Sequence, residues 1–404
     1  MPSAKPNLFG YGLTTKAIAK KLGGGCNFFD DNVKEAYIDE NNNHIFPSSK
    51  FDENRSQLEV TTPSLPPHHP LIQRAKNLYS EYDYFAESMP FSIWISGTNG
   101  KTTTTQMLTH LLEKRGAVNG GNIGTPLAQL NTNAPIWILE SSSFTLHHTH
   151  IASPNIYLLL PITPDHLDWH KTAEAYEADK LKPLLTMKEG ELALIPKGLN
   201  LPKTSAYVVE YDSLEFLENY FSLDASKVAF KGAFLEDALL SLAITKVLFD
   251  EVDYRQINSF VKDAHRQEEL IDVKNRLWIN DSKATNLDAT LQALKGYKER
   301  YIRLIIGGED KGVDLTPLFE LMQTLNISIY TIGKNNQKLN SLAKKYQITS
   351  YECKTIEEAV TQIDKAFQED DIALLSPAGA SFDQFNSYKH RGDTFINLVK
   401  ALKK

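Results

Sequence analysis

One stretch of the sequence, residues 91–112, restricts the fold more than any other. A short apolar run of β type, Phe91 to Ile95, leads into the loop Gly97-Thr98-Asn99-Gly100-Lys101-Thr102, after which apolar residues recur at helical spacing. A strand, a glycine loop and a helix start in this order build a phosphate site, because the loop amides and the helix N-terminus both favour an anion. The pattern predicts nucleotide binding, with Lys101 on the outer phosphates and Thr102 on Mg²⁺. A simple strand–turn–helix is the alternative, since the loop is shorter than the commonest nucleotide loop.

Size and composition limit the kind of protein. The chain has 404 residues, which exceeds one ordinary core, so two or three domains are expected. A net charge of −7 argues against a general nucleic-acid binder, which needs a basic face. The start of the chain lacks a signal pattern, and no apolar run is long enough to cross a bilayer. Two cysteines, Cys26 and Cys353, build no disulfide framework, so we expect a reducing, cytoplasmic location.

The first ninety residues predict a small α/β unit. Asn7 to Phe9 is a predicted strand, which enters the loop Gly10-Tyr11-Gly12-Leu13-Thr14-Thr15 before a helix at Ala17 to Leu22. A second strand, Asn27 to Phe29, ends at two aspartates. This order is typical of a dinucleotide fold, but the third glycine of that fingerprint is missing. A nucleotide-type ligand and an ordinary strand–helix turn both remain open here.

Acidic, histidine and lysine side chains follow the strands of the central part. Glu140 ends a β-type run, where it can meet Mg²⁺ or simply begin a helix. The loop from Pro161 to His170 is dense in groups that ligate metals or transfer protons, and a predicted helix at 172–185 carries Lys180. On spacing alone Lys180 is an exposed helix lysine. Five further histidines are predicted to lie in solvated loops: His68, His69, His147, His148 and His150.

From residue 264 onward, predicted strands and helices alternate, which indicates a second parallel sheet covered by helices. The predicted strands are Leu277 to Asn280, Tyr301 to Ile306, Ile327 to Ile332 and Asp371 to Leu375. Three of them run into polar loops, at 280–286, 307–312 and 376–383, and carboxyl ends of parallel strands are where such sheets bind ligands. The cations and hydroxyls in these loops suit a small anionic substrate.

The motifs, taken in order, resemble those of the Mur ligase family. The loop Gly97 to Thr103 resembles the ATP loop of that family, and His265-Arg266 resembles its domain-crossing motif. Its central-domain motifs are matched by Gly121-Asn122-Ile123-Gly124, Glu140 with Ser142-Ser143-Phe144, and Thr163-Pro164-Asp165-His166-Leu167-Asp168. The runs Asn280 to Asn286 and Ser376 to Phe385 resemble the branch that adds D-glutamate, because sister ligases carry other motifs there.

The resemblance implies an α/β protein of three domains. These are a Rossmann-like UDP-substrate-binding domain at 1–88, a P-loop ATPase-like central ATP-binding domain at 89–263 and a Rossmann-like amino-acid-binding domain at 264–404. It implies that ATP drives amide formation between UDP-N-acetylmuramoyl-L-alanine and D-glutamate through an acyl phosphate. ATP, two Mg²⁺ ions and a CO₂-derived carbamate on Lys180 are the expected cofactors. Neither nucleic acid nor membrane is an expected partner, and the chain is expected to be a monomer.

The resemblance also assigns the site residues. ATP is expected on Gly97, Thr98, Asn99, Gly100, Lys101, Thr102, Thr103, Arg266 and Asp281. The residues expected to be catalytic are Lys101, Asn122, Glu140, His166 and Lys180. Thr102 and Glu140 are expected on one Mg²⁺, and His166 with carbamylated Lys180 on the other, because an ammonium cannot ligate a cation. The residues expected on the sugar nucleotide or on D-glutamate are Leu13, Thr14, Ser142, Lys283, Thr285, Lys311, Ser381, Phe382 and Tyr388.

The sequence departs from the family pattern at a few contact positions. Asp30-Asp31-Asn32 stands where Asp-Thr-Arg is expected near the uridine, and Gly232 to Asp237 stands where a Gly-x-His-Asn-x-x-Asn run contacts adenine. Thr145 replaces a usual Gln, and Trp169 stands where an arginine is common. These differences concern substrate contacts rather than the class of reaction.

Three other interpretations compete with the D-glutamate ligase. A folate-type sister ligase shares the ATP loop but is expected to lack the motifs at 280–286 and 376–384. An ATP-dependent switch that only binds a partner has no need of a third domain with small-anion loops. An inactive scaffold is expected to have lost Lys101, Glu140, His166 or Lys180, and all four are present.

Overall fold

The computed structural model describes residues 5–309 and 313–403, without the side chain of Asp168. Within these residues the strands form three sheets of six strands each, with helices between them. None of the helices described has the length and the apolar character needed to cross a bilayer. The predicted α/β fold class is confirmed.

The first sheet has the strand order β3-β4-β2-β1-β5-β6 and is parallel except at β3. Its elements are β1 (Asn7–Phe9), α1 (Leu13–Lys21), β2 (Asn27–Asp30), β3 (Tyr37–Ile38), β4 (His44–Pro47), β5 (Glu59–Thr61), α2 (Pro70–Arg74), β6 (Leu78–Tyr79) and α3 (Glu81–Phe85). Only β1 and β2 are predicted from the sequence. The other four strands have two to four residues, too few for a period to show, and they lie outside the strand–glycine loop–helix–strand pattern by which the equally short β1 and β2 are predicted.

The central sheet is parallel, with the order β12-β11-β10-β7-β9-β8. Its elements are β7 (Phe91–Ser96), α4 (Lys101–Leu112), β8 (Ala117–Gly121), β9 (Ile136–Glu140), α5 (Ser143–His147), β10 (Ile156–Leu159), α6 (Leu167–His170), α7 (Ala173–Leu181), β11 (Leu192–Pro196), β12 (Tyr207–Tyr211), α8 (Leu214–Phe221), α9 (Ala233–Phe249) and α10 (Tyr254–Asn258). Strands β7 and β9 are neighbours in register, Ile95 opposite Glu140. Their carboxyl ends therefore bring the glycine loop and Glu140 to one edge.

The third sheet has the order β13-β14-β18-β15-β16-β17. Its elements are β13 (Glu268–Ile271), β14 (Leu277–Asn280), α11 (Leu287–Gly296), β15 (Ile302–Gly307), α12 (Thr316–Met322), β16 (Ile327–Ile332), α13 (Asn336–Lys345), β17 (Thr349–Lys354), α14 (Ile356–Ala366), β18 (Ile372–Leu375) and α15 (Tyr388–Lys400). The four predicted strands pair parallel, as expected, and the unpredicted β13 adds an antiparallel edge beside β14. Both β13 and β17 were missed, since these edge strands are partly exposed and polar.

The described chain divides into two compact units. One runs to Ala229 and includes Glu236–Phe260, and the other comprises Phe230–Leu235 and the chain from Val261 onward. The first two sheets belong to the same unit, and one apolar core spans both of them, with Leu8 and Phe28 in the same cluster as Trp94 and Leu139.

Candidate active site

The glycine loop after β7 has the backbone shape that a phosphate-binding loop needs. Gly97 has φ +141° and Gly100 has φ +80°, conformations that side chains with a Cβ rarely adopt. A Cβ on Gly97 would lie 2.5 Å from Leu160 Cβ, and one on Gly100 would lie 2.7 Å from Asp237 Oδ1. Both glycines are therefore required by backbone conformation and by space. Gly100 is the N-cap of α4, so the loop amides and the helix start face the same volume.

Side chains of the glycine loop form hydrogen bonds with the loop that follows β10 and within the glycine loop itself. Thr98 Oγ1 donates to the carbonyl of Thr163 at 2.8 Å and lies 3.0 Å from the hydroxyl of Tyr176. Lys101 Nζ donates to the carbonyls of Gly97 and Thr98, at 2.9 and 2.8 Å, so its cation lies over the loop. Thr102 and Thr103 follow in the first turn of α4, and Asn99 precedes it. The glycine loop therefore lies between a strand and a helix, as the sequence predicted.

Glu140 carries a buried carboxylate whose two oxygens have different surroundings. Its side chain is 2% exposed at the end of β9. Oε1 accepts from Asn122 Nδ2 at 2.7 Å, and the Asn122 backbone N–H donates to the Glu140 carbonyl at 2.8 Å. Oε2 is buried and has no donor within the described residues. A buried carboxylate oxygen without a donor is costly, and a divalent cation is the partner that suits it.

Lys180 is buried rather than exposed, so the prediction from helix spacing alone is wrong. Its side chain is 1% exposed. Nζ donates to the Gly97 carbonyl at 2.8 Å and to Ser96 Oγ at 3.3 Å, beneath the glycine loop. Burial, and then the charge of Lys101, lower the pKa of Lys180 well below its usual value. Both effects disfavour the charged form, and the uncharged form of the amine is the one that can react as a nucleophile.

His166 lies at the N-cap of α6 in a left-handed conformation, with φ 52° and ψ 37°. Few non-glycine residues adopt it, and such strain concentrates at functional sites. The imidazole is partly exposed, lies 3.6 Å from Asp165 and packs on Phe144 with ring centroids 4.8 Å apart. His166 is therefore available at the surface of the same loop region that carries Thr163.

Three of the histidines predicted to be solvated have buried or paired side chains instead. His147 Nδ1 lies 2.9 Å from both oxygens of Asp179. His148 is 2% exposed, its Nε2 lies 3.0 Å from the Leu65 carbonyl, and burial lowers its pKa to about 4. His69 also has partners, capping α2 and pairing with Asp31 at 2.7 Å. His68 and His150 are exposed, as predicted.

The sequence analysis placed His170 only within a loop dense in possible metal ligands, and it missed Asp179. The ring of His170 lies between Asp179 Oδ2, 2.8 Å from Nδ1, and Ser143 Oγ, 3.0 Å from Nε2. Burial alone would raise the pKa of Asp179, but the hydrogen bonds from His147 and His170 outweigh it and lower that pKa. The one available signal was the position of Asp179, directly before Lys180.

Ser142 has a local role at the start of α5. Its Oγ accepts from the Thr145 N–H at 3.1 Å and lies 2.9 Å from Thr145 Oγ1, so it is the N-cap of that helix. Leu13 and Thr14 begin α1, where Leu13 is 61% exposed. Near them, Tyr11 N–H donates to Asp30 Oδ2 at 2.7 Å and joins the first two strands' carboxyl ends.

The second unit carries its own cluster at the carboxyl end of β14. Asp281 accepts from Ser376 Oγ at 2.9 Å and from the Gln267 N–H at 3.3 Å. Burial raises the pKa of Asp281 to about 7, although these hydrogen bonds and the Arg266 charge oppose the rise. Arg266 lies between two residues with positive φ, and its Nε is buried without a partner in the described chain. Arg266 and Asp281, both predicted on the nucleotide, are thus neighbours.

The predicted amino-acid residues lie on the loops after β14 and β18. Lys283 Nζ lies 5.4 Å from the ring centroid of Tyr388, the first residue of α15. Thr285 and Phe382 are exposed, the latter to 71%, whereas Ser381 is buried. Lys311, predicted on the same substrate, lies outside the described residues.

Arg391 is a further residue that sequence reasoning missed. It is 1% exposed and donates to the carbonyls of Ser282 and Gly379, at 2.8 and 3.1 Å, and to Ser282 Oγ at 3.0 Å. Burial lowers its pKa to about 10. It therefore ties the two loops that carry the predicted amino-acid residues. An arginine one turn after Tyr388 was its only signal in the sequence.

Two family models match the chain. Residues 95–231 match the Mur ligase middle domain, and residues 265–379 match the Mur ligase, glutamate ligase domain. Among solved structures, MurF ligase from Thermotoga maritima in complex with ADP is 14% identical, with a TM-score of 0.59 over 99% of this chain and 98% of that one. MurC from the same organism is 16% identical, with a TM-score of 0.55 over 97% and 98%. At these identities the likeness concerns the fold.

Curated relatives share far more of the sequence. The UDP-N-acetylmuramoylalanine–D-glutamate ligase of Campylobacter jejuni is 50% identical over 98% of this chain and 100% of its own length. The ligase of the same name from Helicobacter pylori is 44% identical over 98% of this chain and 99% of its own. The chain therefore belongs to the UDP-N-acetylmuramoylalanine–D-glutamate ligases of the Mur ligase family, as its ordered motifs predicted.

Proposed function

We propose that this chain adds D-glutamate to UDP-N-acetylmuramoyl-L-alanine at the expense of ATP, in peptidoglycan precursor synthesis. The observation that carries the proposal is the buried Lys180 amine, which donates to the Gly97 carbonyl of the glycine loop. A loop that only hydrolyses or senses a nucleotide needs no buried amine beneath it. The similarity to UDP-N-acetylmuramoylalanine–D-glutamate ligases over 98% of this chain supports D-glutamate as the amino acid that is added, and a sister ligase is not favoured.

The reaction needs activation of a carboxylate, which is a poor electrophile. The alanyl carboxylate of the sugar nucleotide attacks the γ-phosphorus, and ADP leaves. The D-glutamate amine then adds to the acyl phosphate, loses a proton and expels inorganic phosphate from the tetrahedral intermediate. Such phosphoryl transfer depends on positioning and on neutralising charge. In the proposal, Lys101 and the amides of Gly97, Thr98, Asn99, Gly100, Thr102 and Thr103 hold the phosphates.

The geometry of Glu140 suits the role of a metal ligand. Its buried Oε2 has no donor in the described chain, and Asn122 fixes Oε1. We assign Thr102 and Glu140 to one Mg²⁺, and His166 with Lys180 to a second. The ions, when bound, neutralise charge on the phosphoryl oxygens. Asn122 is then placed to meet the transferring acyl phosphate.

Lys180 can ligate a cation only after modification, because an ammonium repels it. The lowered pKa favours the uncharged amine, and it is this form that can add to CO₂ with loss of one proton. The resulting carbamate offers two anionic oxygens, and the neighbouring Lys101 charge favours that anion. Both the carbamate and the two metal sites belong to the proposal.

The remaining assignments concern the substrates and the domains. We propose boundaries at 1–88, 89–263 and 264–404, supported by the separate sheets β1–β6, β7–β12 and β13–β18. The residues assigned to uridine or to D-glutamate are Leu13, Thr14, Ser142, Lys283, Thr285, Lys311, Ser381, Phe382 and Tyr388. Arg266 and Asp281 are assigned to ATP. We further propose a cytoplasmic monomer.

Phosphate release from ATP and Mg²⁺ with UDP-N-acetylmuramoyl-L-alanine tests the function. D-glutamate, L-glutamate or no amino acid is added in parallel. Release that requires both the sugar nucleotide and D-glutamate is expected, and Lys180→Ala is expected to abolish it. Lys203→Ala, at a lysine remote in sequence from these motifs, serves as the control. Release indifferent to D-glutamate would contradict the proposal and point to an ATPase or to another acceptor.

A further inference from the structure

A hydrogen-bonded group of four side chains lies on the short helices next to Lys180 and His166, and the proposed function gives it no role. Asp179 accepts from His147 Nδ1, 2.9 Å from each oxygen, and from His170 Nδ1 at 2.8 Å. His170 Nε2 lies 3.0 Å from Ser143 Oγ. The imidazole of His170 is fully buried, and Asp179 is 14% exposed. We call His147, Asp179 and His170 the histidine clamp.

The histidine clamp joins the three short helices that follow or carry the proposed ligands. His147 is the last residue of α5, which begins three residues after Glu140. His170 is the last residue of α6, whose N-cap is His166. Asp179 lies on α7, directly before Lys180. One carboxylate therefore links the segments of Glu140, His166 and Lys180.

Aromatic packing fixes the His170 ring within this arrangement. Phe144 stacks on it at 5.6 Å with an angle of 8°, and Tyr176 contacts it at 5.2 Å. The hydroxyl of Tyr176 lies 3.0 Å from Thr98 Oγ1, and its ring lies 4.7 Å below Lys180 Nζ. The clamp is thus connected to the glycine loop as well as to the amine.

We propose that the histidine clamp positions Lys180 and His166 relative to Glu140, so that the Lys180 amine is held where it takes up CO₂. His147, Asp179 and His170 are positioning residues that act through Lys180. The inference rests on the proposed function. Residues that orient metal ligands from behind typically change metal affinity or activity by about 10- to 100-fold when removed.

The test compares His147→Ala with His147→Asn. Alanine removes the donor to Asp179, whereas the asparagine amide can donate from nearly the place of Nδ1. His147 is partly exposed, so neither change empties the core. For His147→Ala at ambient CO₂ we expect kcat to fall about tenfold, with KM for D-glutamate unchanged and activity partly restored by bicarbonate. His147→Asn is expected to retain most of the activity.

The carbamate itself supplies a readout besides activity. With ¹³C-labelled bicarbonate, the lysine carbamate signal in the NMR spectrum is expected to weaken in His147→Ala and in Asp179→Asn. Asp212→Asn makes the same chemical change at an exposed carboxylate paired with Lys197 and is expected to change neither readout.

The outcomes separate the two proposals. Parent-level carbamate signal and bicarbonate dependence in both clamp variants would overturn the positioning role, as would the absence of that signal in the parent enzyme. An equal loss in His147→Ala and His147→Asn, unaffected by bicarbonate, would also overturn it. Phosphate release by the parent enzyme that ignores D-glutamate would instead reject the proposed function.

Discussion

At the scale of single residues, Glu140 supplies the sharpest test of the metal assignment. Glu140→Gln keeps an oxygen that accepts from Asn122 but replaces the buried oxygen without a donor by an uncharged amide. We expect phosphate release to fall on the order of 100-fold, with a weaker apparent affinity for Mg²⁺, because one anionic ligand is lost. The melting temperature is expected not to fall, since a buried charge is removed.

The control for this change is Glu191→Gln, where the carboxylate accepts from Ser153 Oγ and from the Lys188 N–H. It makes the same chemical change at a carboxylate outside the glycine loop region, and the dependence of phosphate release on Mg²⁺ is expected to stay at the parent level. A Glu140→Gln enzyme with the parent's Mg²⁺ titration curve would remove Glu140 from the metal site. The comparison is read from phosphate release against Mg²⁺ concentration at saturating ATP.

His148 gives the pH dependence of stability a definite sign. Burial lowers its pKa to about 4, against about 6.5 in an unfolded chain. Between these values the unfolded chain binds more protons, so stability is lost as the pH falls through this window. His148→Gln keeps a donor for the Leu65 carbonyl and does not titrate. From pH 7.5 to pH 4.5 the variant should gain about 2.5 kcal/mol of unfolding free energy relative to the parent.

Urea unfolding curves at the two pH values measure this difference. His68→Gln serves as the control, because it makes the same substitution at an exposed histidine. A constant gap between His148→Gln and the parent across the window would contradict a buried, uncharged imidazole.

At the scale of elements, the glycine loop combines a backbone requirement with a steric one. Gly100→Ala places a methyl group 2.7 Å from Asp237 Oδ1 at a φ of +80°. We expect the free energy of unfolding to fall by about 1–3 kcal/mol and the KM for ATP to rise, because the loop amides must shift. Gly23→Ala is the matched control, with φ +77° and no atom within 4 Å. It carries the backbone strain alone, so an equal loss in both and an unchanged KM would exclude the steric contribution.

The same scale shows what the sequence could predict. The glycine loop, Glu140 and the loops after β14 and β18 follow continuous apolar strands, so local pattern places them at carboxyl ends. The histidine partners could not be placed in this way. Asp179 is 32 residues from His147, and the Leu65 carbonyl is 83 residues from His148. Burial of Lys180 likewise depends on the loop more than eighty residues earlier.

The short edge strands could not be predicted from the sequence for a related reason. A two-residue strand such as β3 or β6 has no period, and its pairing is decided by neighbours in space. The antiparallel β13 could be identified only from its pairing with β14. Family resemblance compensates for this at the level of topology, but it does not supply pairing registers.

At the scale of the whole molecule, α3 fastens the first sheet to the central one. Asp83 accepts the backbone N–H groups of His150, Ile151 and Ala152 at 2.8–2.9 Å, and it is 4% exposed. Ser80, the cap of α3, receives a hydrogen bond from Thr149 at 2.9 Å. Since one apolar core also spans both sheets, we infer that they unfold together.

Asp83→Asn tests this cooperativity. It should cost about 2–3 kcal/mol of unfolding free energy, because an amide replaces a carboxylate that accepts from three backbone N–H groups. Hydrogen exchange is then expected to accelerate by the same factor in β1 and in β7, since a single opening exposes both sheets, and to stay unchanged in β15. Asp371→Asn is the control in the third sheet. It weakens the buried ion pair in which Arg303 Nε lies 2.7 Å from Asp371 Oδ2, and among these strands it should accelerate exchange in β15 alone. Faster exchange in β1 with β7 unaffected would mean that the first sheet opens independently, and the shared core would then not couple the two sheets.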